Sequence, residues 1–346
     1  MKIAITTVQV PFTSGGAEHH ASGLLKACRA AGHQADVISM PFRHAPVEQV
    51  FRAMEIWEQE DLRLLDGGEP DIVVCLKFPT YYLQHPCKVL WLLHQHRPVY
   101  DLWDHMEAGG HVWSERERDL RWAISDKDGY HIPRCLDVHT NSRNVSARLL
   151  HYNGIDAQPL YHPSPLDGRL HCAPAEPYIF CPSRLEPLKR QHLLVEAMQY
   201  VRSPVTAVIS GEGSQAADLA RQVAHLGLSG RVRFVGRLDE ARLIDHYARC
   251  LAVFFGPFDE DYGYVTLEAM LAAKPVITCG DSGGPLEFIT SGETGYVVPP
   301  EPRAVAAAID ELHTHPDHAA WMGEAGLELY RALGLSWDNV LLRLLC

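Results

Sequence analysis

The chain has 346 residues, 47% of them hydrophobic, with 31 Lys and Arg against 43 Asp and Glu, a formal net charge of −12. That length predicts two domains, each able to bury its own core, and that charge argues against nonspecific binding to nucleic acid or an anionic membrane, leaving membrane contact at most peripheral. Nine cysteines without a C-x-x-C pair read as reduced thiols of a cytoplasmic protein, the first residues lack a signal-peptide layout, and no apolar run approaches the roughly 20 residues that span a bilayer.

Residues 2–8 predict a buried parallel strand, Gly15-Gly16-Ala17-Glu18 a tight turn, 17–31 a helix ended by Gly32, and 36–40 a second strand. A glycine pair between strand and helix lets backbone N–H groups approach a phosphate or sugar closely, with the helix dipole adding attraction; a pair that merely makes a turn would read the same. The spacing is not G-x-G-x-x-G, and Asp36 is the only echo of a ribose-binding acid, so a dinucleotide site fits poorly. Residues 47–66 read as a helix and 71–76 as a short strand. The strand 88–93 then delivers His94-Gln95-His96-Arg97 to a carboxyl-end loop, where α/β sheets gather their ligands. A structural His94 is the plainer alternative, and nothing nearby completes a metal set around the H-x-H pair. Residues 100–130 hold Trp103, Trp113 and Trp122 among acids and arginines with weak helical periodicity. Amphipathic helices with the tryptophans turned inward are favoured there over a lid facing an acceptor. Residues 136–140 predict a strand, and Asn141-Ser142 a polar pair that caps the helix 143–151.

Between 159 and 177 the composition turns to Pro159, Pro163, Pro165, Gly168, Pro174 and Pro177 without periodicity, as an interdomain linker does. The expected domains are 1–168 and 169–335, with a short closing helix near 336–346 returning to the first. After the strand 178–181 come Arg184 and Lys189, a fork and a point charge five residues apart. They suit a diphosphate, or else decorate a solvated loop. Strands at 205–210, 232–235, 252–255 and 274–279 exit through Gly211-Glu212-Gly213, Gly236-Arg237, Asp259-Glu260-Asp261 and Asp281-Ser282-Gly283-Gly284. Helices are predicted over 191–201, from the Gly211-Glu212-Gly213 exit to about 226, over 240–249, over 265–273 with Glu268 in its first turn, and after Gly284 with Pro285 at the first position. Five exits in this half carry glycine or charge, and their convergence predicts a ligand cleft better than any one loop does. A strand at 295–298 and helices over 302–313, 319–333 and 337–345 complete the chain.

The stretch Glu260-Asp261-Tyr262-Gly263-Tyr264-Val265-Thr266-Leu267-Glu268 is similar to the E-x7-E motif of the retaining GT-B glycosyltransferases of family 4. Gly15-Gly16, His94, Ser183-Arg184 with Lys189, Gly211-Glu212-Gly213 and Gly283-Gly284-Pro285-Leu286-Glu287 follow that family's order through nearly the whole chain, which therefore resembles it. The resemblance implies an α/β fold of GT-B type: two Rossmann-like domains whose parallel sheets face each other across an interdomain cleft.

It also implies a metal-independent transfer of a sugar, with retention, from a nucleotide-sugar donor to an acceptor hydroxyl. The donor would lie mainly on the second domain, with Tyr262 and the amides of Gly263, Tyr264 and Val265 near its diphosphate. Glu268 would accept from ribose hydroxyls and Glu260 from the donor sugar, since carboxylates are acceptors only. Arg184 and Lys189 would offset the leaving charge in place of a metal, and His94 would position the sugar near its anomeric carbon. Gly236 and Arg237 would read the base, with Gly15, Gly16 and Gly211 lining the donor side. His96, Arg97 and Asn141 are the acceptor-side candidates. No cofactor is implied beyond a nucleotide-diphosphate sugar, UDP- or GDP-linked, and the acceptor is a carbohydrate, a lipid-linked sugar or a small molecule, in polysaccharide, glycoconjugate or glycoside synthesis. A GT-B phosphorylase, a nucleotide-sugar hydrolase or epimerase, or a silent sugar-binding subunit stand as alternatives. Asp259 and Asp261 have no assigned role.

Overall fold

Runs such as Ile72-Val73-Val74-Cys75 and Val276-Ile277-Thr278-Cys279 are buried at every position, as expected of central parallel strands covered on both faces. The computed structural model, which describes residues 1–13 and 15–345, builds two such sheets in two compact units. One unit is Met1–Pro165 together with the chain from Ser336 on, and the other is Leu166–Leu335.

In the first unit, β1 (Lys2–Gln9), β2 (Gln34–Pro41), β3 (Ile72–Cys75), β4 (Lys88–Leu92), β5 (Asp137–Thr140) and β6 (Gln158–Pro159) alternate with α1 (Gly16–Ala30), α2 (Val47–Gln59), α3 (Asp101–Ala108), α4 (Glu115–His131) and α5 (Arg143–Asn153). The strands pair in parallel in the order β2-β1-β3-β4-β5-β6. The second unit carries β7 (Tyr178–Pro182), α6 (Gln191–Ala197), β8 (Thr206–Ser210), α7 (Ala216–His225), β9 (Val232–Phe234), α8 (Glu240–Arg249), β10 (Ala252–Phe254), α9 (Tyr264–Leu271), β11 (Val276–Cys279), β12 (Gly295–Val298), α10 (Pro302–Thr314) and α11 (Pro316–Ala332). Its order is β12-β11-β10-β7-β8-β9. The last helix, α12 (Trp337–Leu344), joins the core of the first unit through Val340, Leu341 and Leu344, and its Trp337 ring lies against Gly23, where a Cβ would stand 2.3 Å from it.

Strand order decides where a ligand finds room. It reverses between β1 and β3 in one sheet and between β7 and β10 in the other, so the loops leaving those pairs diverge to opposite faces and open a crevice at the strands' carboxyl ends.

Several elements differ from the sequence reading. The helix expected over 47–66 ends at Gln59, and a 3-10 turn at Leu62–Leu64 follows, capped by Asp61, whose side chain accepts from the Arg63 amide. Part of the proline-rich stretch pairs as β6, with Pro159 opposite Thr140 on the sheet's outer edge, where a missing N–H costs least. Trp103 and Trp113 are buried and stacked 3.8 Å apart, whereas Trp122 faces out at 72% exposure. The glycine turn at 283–284 opens only a 3-10 turn, Gly284–Glu287. Glu268 is the fifth residue of α9 and so belongs to its second turn, because the helix begins at Tyr264.

Candidate active site

In the second unit the five strand exits are tied to one another by backbone hydrogen bonds. Ser183 N–H donates to Ser210 O at 3.2 Å, Leu185 to Glu212 at 2.9 Å, Gly211 to Gly236 at 2.9 Å, Phe258 to Leu188 at 2.7 Å and Glu260 to Ser282 at 2.9 Å. Such close passage demands glycine. Gly211 has φ +126°, and a Cβ there would sit 1.9 Å from the Ser183 carbonyl oxygen. At the switch between β7 and β10 the Lys189 ammonium donates to Glu260 Oε2, both side chains being more than four-fifths buried. Lys189 also lies 5.7 Å from the centre of the Phe255 ring. The next residue, Arg190, grips the floor of the crevice. Its guanidinium donates to both carboxylate oxygens of Asp281 (2.6 and 2.8 Å) and to the carbonyls of Gly256 (2.9 Å) and Pro257 (2.7 Å).

Gly263 caps α9 in the left-handed region at φ +86°, with a Cβ position 2.9 Å from Pro285 Cγ. The glycine turn at 283–284 thus packs directly under the helix start, whose first amides carry the positive end of the helix dipole. Tyr264 and Glu268 are four residues apart and share a helix face. Glu268 Oε2 accepts a 2.7 Å hydrogen bond from the buried phenol of Tyr247 on α8. Burial, then the Glu268 charge, hold the Tyr264 phenol well above its usual range. Arg184 and Arg237 are exposed, and Gly236 has φ +65° with open space where a Cβ would stand. Tyr262 is buried, its ring 5.5 Å edge-on from Tyr264 and 5.8 Å from Phe288, and Val265 is half-buried.

In the first unit the candidates lie at the carboxyl ends of three strands. Gly15 opens α1, and its amide is already engaged by Glu18 Oε2 at 2.8 Å, with Gly16 the first helical residue. Ser14 lies outside the described residues. Half-buried His94 has Nδ1 2.6 Å from the Gln95 carbonyl. Because a carbonyl only accepts, this contact places a proton on Nδ1. His96 is buried against Phe78 and stacked with His44, and burial, with His44 and His94 beside it, pushes its pKa down to about 3. Arg97 donates to Asp101 at 2.7 Å, and Arg148 reaches the same carboxylate at 3.4 Å. Asn141 is buried directly after β5, its amide nitrogen donating to Leu92 O and its side-chain oxygen without a hydrogen-bond partner among the described residues. Asp36 is exposed and paired with Arg29.

Residues 170–328 match the family model described as Glycosyl transferases group 1. The second unit is thus similar to the group 1 glycosyl transferases. D-rhamnosyltransferase WbpZ of Pseudomonas aeruginosa is 36% identical over 148 residues, covering 42% of this chain and 38% of that protein. The GDP-mannose-dependent alpha-(1-6)-phosphatidylinositol monomannoside mannosyltransferase of Mycolicibacterium smegmatis is 35% identical over 161 residues, covering 43% of this chain and 42% of that one. The chain thus spans less than half the length of the curated relatives it matches. Two solved structures share its fold along nearly the whole chain. Anabaena HepE in complex with UDP and glucose has 18% identity and a TM-score of 0.74, covering 99% of this chain and 98% of that one. Sucrose-phosphate synthase of Thermosynechococcus elongatus has 20% identity and a TM-score of 0.77, covering 99% and 96%. The fold is GT-B, with two parallel six-stranded sheets flanked by helices.

Within the second unit the structure brings Lys189, Glu260 and the start of α9 to one crevice, while Arg184 is exposed. Arg190, Asp281 and Tyr247 were missed in the sequence. Arg190 has a signal, a second cation beside Lys189 just before a helix. Tyr247 has none, because only the folding of α8 beside α9 puts its hydroxyl on Glu268. No helix among the described residues is long and apolar enough to cross a membrane.

Proposed function

We propose that the chain is a retaining, family 4 type glycosyltransferase that moves a hexose from a nucleoside-diphosphate donor to an acceptor hydroxyl. The observation that carries the reading is the Lys189–Glu260 pair at the β7/β10 switch point, next to the α9 start that Gly263 opens. The paired ammonium and carboxylate offset each other's charge at the switch point. A donor brings the complement of both: a diphosphate for Lys189, Arg184 and the α9 amides, and sugar hydroxyls for Glu260. The two cations supply the charge stabilisation of the leaving diphosphate, so the transfer is metal-independent. Glu268 accepts from the ribose, while Gly236 and Arg237 lie beside the base. His94, held by its Nδ1 contact to the Gln95 carbonyl, takes the role of the family's histidine near the anomeric carbon.

Sequence relatives include an enzyme named for GDP-mannose, and fold neighbours include a complex with UDP and glucose. The enzyme named for GDP-mannose is 35% identical over 161 residues and the complex with UDP and glucose 18% identical along nearly the whole chain, so GDP-mannose is the first donor to assay and UDP-glucose the second. A sugar hydroxyl, free or lipid-linked, is the acceptor class, and nine cysteines without a C-x-x-C pair support a cytoplasmic reaction. The test follows nucleoside diphosphate release over a donor panel, in EDTA and with added Mg²⁺, for wild type and Glu260→Ala. Proton NMR of the product reads the anomeric configuration. The reading is lost if no donor in the panel binds or turns over, retention is lost if the product is inverted, and metal independence is lost if EDTA abolishes turnover.

A further inference from the structure

A cavity of about 620 Å³ opens at the amino edge of the second sheet, the edge opposite the crevice. Its floor is the entry to three neighbouring parallel strands: Pro177 and Tyr178 at β7, Pro204 and Thr206 at β8, Arg231 and Arg233 at β9. Because β7 is five residues long, this floor stands roughly 15 Å from the strand exits. The facing wall is the last turn of α8, with Asp245, His246 and Arg249. That wall is fixed in place. The Tyr178 phenol donates to the His246 carbonyl at 2.9 Å, the Glu176 amide to the Arg249 carbonyl at 2.7 Å, and the His246 ring stacks 5.2 Å from buried Phe180. Beyond His246 the strand face that carries exposed Thr206 and Arg233 opens to the cavity, since β9 is the edge strand. A space of this size suits a small organic molecule and exceeds what a bare ion needs.

The chain carries a net charge of −12, yet three arginines and two carboxylates line this cavity. Arg249 is matched: it donates to Asp245 at 2.8 Å and lies 3.6 Å from Glu176. Arg231 commits its two terminal nitrogens to the carbonyls of Met198, Val201, Ser203 and Val205 at 2.8 to 3.2 Å. Those dipoles anchor the guanidinium without bringing a counter-charge. Arg233 has no carboxylate partner among the described residues, and its charge, after burial, lowers the pKa of His246. The resulting neutral imidazole both donates and accepts. An anchored cation, an exposed cation two residues on and a neutral imidazole are groups that hold a phosphoryl oxygen, while the carboxylates on the α8 side accept from hydroxyls.

We propose that this cavity is a second ligand site, for a sugar phosphate, with the phosphoryl group at Arg233, Arg231 and His246 and the sugar hydroxyls toward Glu176 and Asp245. The site is separate from the crevice and does not depend on what the crevice binds.

Calorimetric titration of the whole chain with glucose 6-phosphate, mannose 6-phosphate, glucose and inorganic phosphate tests it. At least one hexose phosphate is expected to bind once per chain with a Kd below about 1 mM. Inorganic phosphate should bind about tenfold or more weaker, and glucose not measurably, since each supplies half of the contacts. Arg233→Glu is expected to weaken the hexose phosphate about tenfold or more, the size of one lost charge-assisted hydrogen bond, and Thr206→Trp, which fills the floor, to abolish binding. Both positions are exposed, so both variants should melt as the wild type does; where one melts early, the other decides. Lys189→Ala, in the crevice, is expected to leave the affinity unchanged. The proposal is overturned if neither hexose phosphate binds at about 10 mM, or if inorganic phosphate binds as tightly, which would mark an anion site without a sugar subsite. It is equally overturned if affinity survives Arg233→Glu and Thr206→Trp, or falls in Lys189→Ala, because the ligand then sits in the crevice or elsewhere.

Discussion

Asp128 on α4 is fully buried, and three phenols converge on it: Tyr81 and Tyr82 donate to Oδ1 at 2.8 and 2.7 Å, and Tyr100 to Oδ2 at 2.7 Å. Burial pushes this carboxyl from its ordinary 3.8 up to about 6, against the pull of the three hydroxyls. At about 1.36 kcal/mol per pH unit, ionising it inside the protein costs about 3 kcal/mol at neutral pH. Asp128→Ala removes that cost but leaves three buried hydroxyls without their acceptor, each worth about 1–3 kcal/mol, or about 6 kcal/mol together. The expected net loss at pH 7 is therefore about 3 kcal/mol.

The pH dependence is the sharper part. A carboxyl whose folded pKa is raised contributes fully below its unfolded pKa of 3.8 and loses that contribution as pH rises through about 6. The gap between wild type and variant should thus widen to about 6 kcal/mol near pH 4. Urea unfolding followed by tryptophan fluorescence measures it, because six of the seven tryptophans, all but Trp321, lie in the first unit. A gap that is constant from pH 4 to 7.5, or that widens toward alkaline pH, refutes the reasoning.

Removing the switch-point cation by Lys189→Ala strands the Glu260 carboxylate, and kcat is expected to fall about 100-fold, as when one preorganised transition-state donor is lost; a change confined to KM in steady-state kinetics would count against it. His20, His96 and His162 are buried in the first unit with pKa values lowered by desolvation, His96 and His162 to about 3. Their unfolded forms take up protons first, so stability is whole above about 6.5 and is lost as pH falls, by about 2 kcal/mol each for His96 and His162 at pH 5. His162→Phe should flatten the dependence of the urea midpoint between pH 7 and 5. Gly211→Ala drives a methyl into the Ser183 carbonyl and should lower stability by about 2 kcal/mol or more, with nucleotide binding weakened in a calorimetric titration; an alanine variant with wild-type melting would show that the two loops are free to separate.

Most of the fold was legible because its signals are local. Period and burial mark the parallel strands within a residue or two, and Ser142 caps α5 as the small polar pair predicted, its hydroxyl accepting from the Val145 amide at 3.1 Å. Misreadings came where tertiary pairing overrode composition. Gln158–Pro159 reads as linker until β5 offers it an edge, and Trp122 carries an apolar ring yet faces outward, since α4 buries Leu120, Ile124 and Asp128 instead. In the candidate site, residue types and order could be read along the chain, but partners could not. Lys189 was read with Arg184, five residues away, and the structure pairs it with Glu260, 71 residues on. The clamp from Arg190 to Asp281 spans 91 residues and leaves no periodic trace.

The position of α12 sets an order of assembly. Val340, Leu341 and Leu344 fill the core beside Ile3, Leu24 and Trp91, yet they are translated only after all of Leu166–Leu335. At about 5–20 residues per second, the ribosome holds a nearly finished first unit for roughly 10–30 s with an apolar furrow open along α1. Chaperone demand during synthesis should therefore fall on Met1–Pro165, and it should end only when α12 closes the furrow.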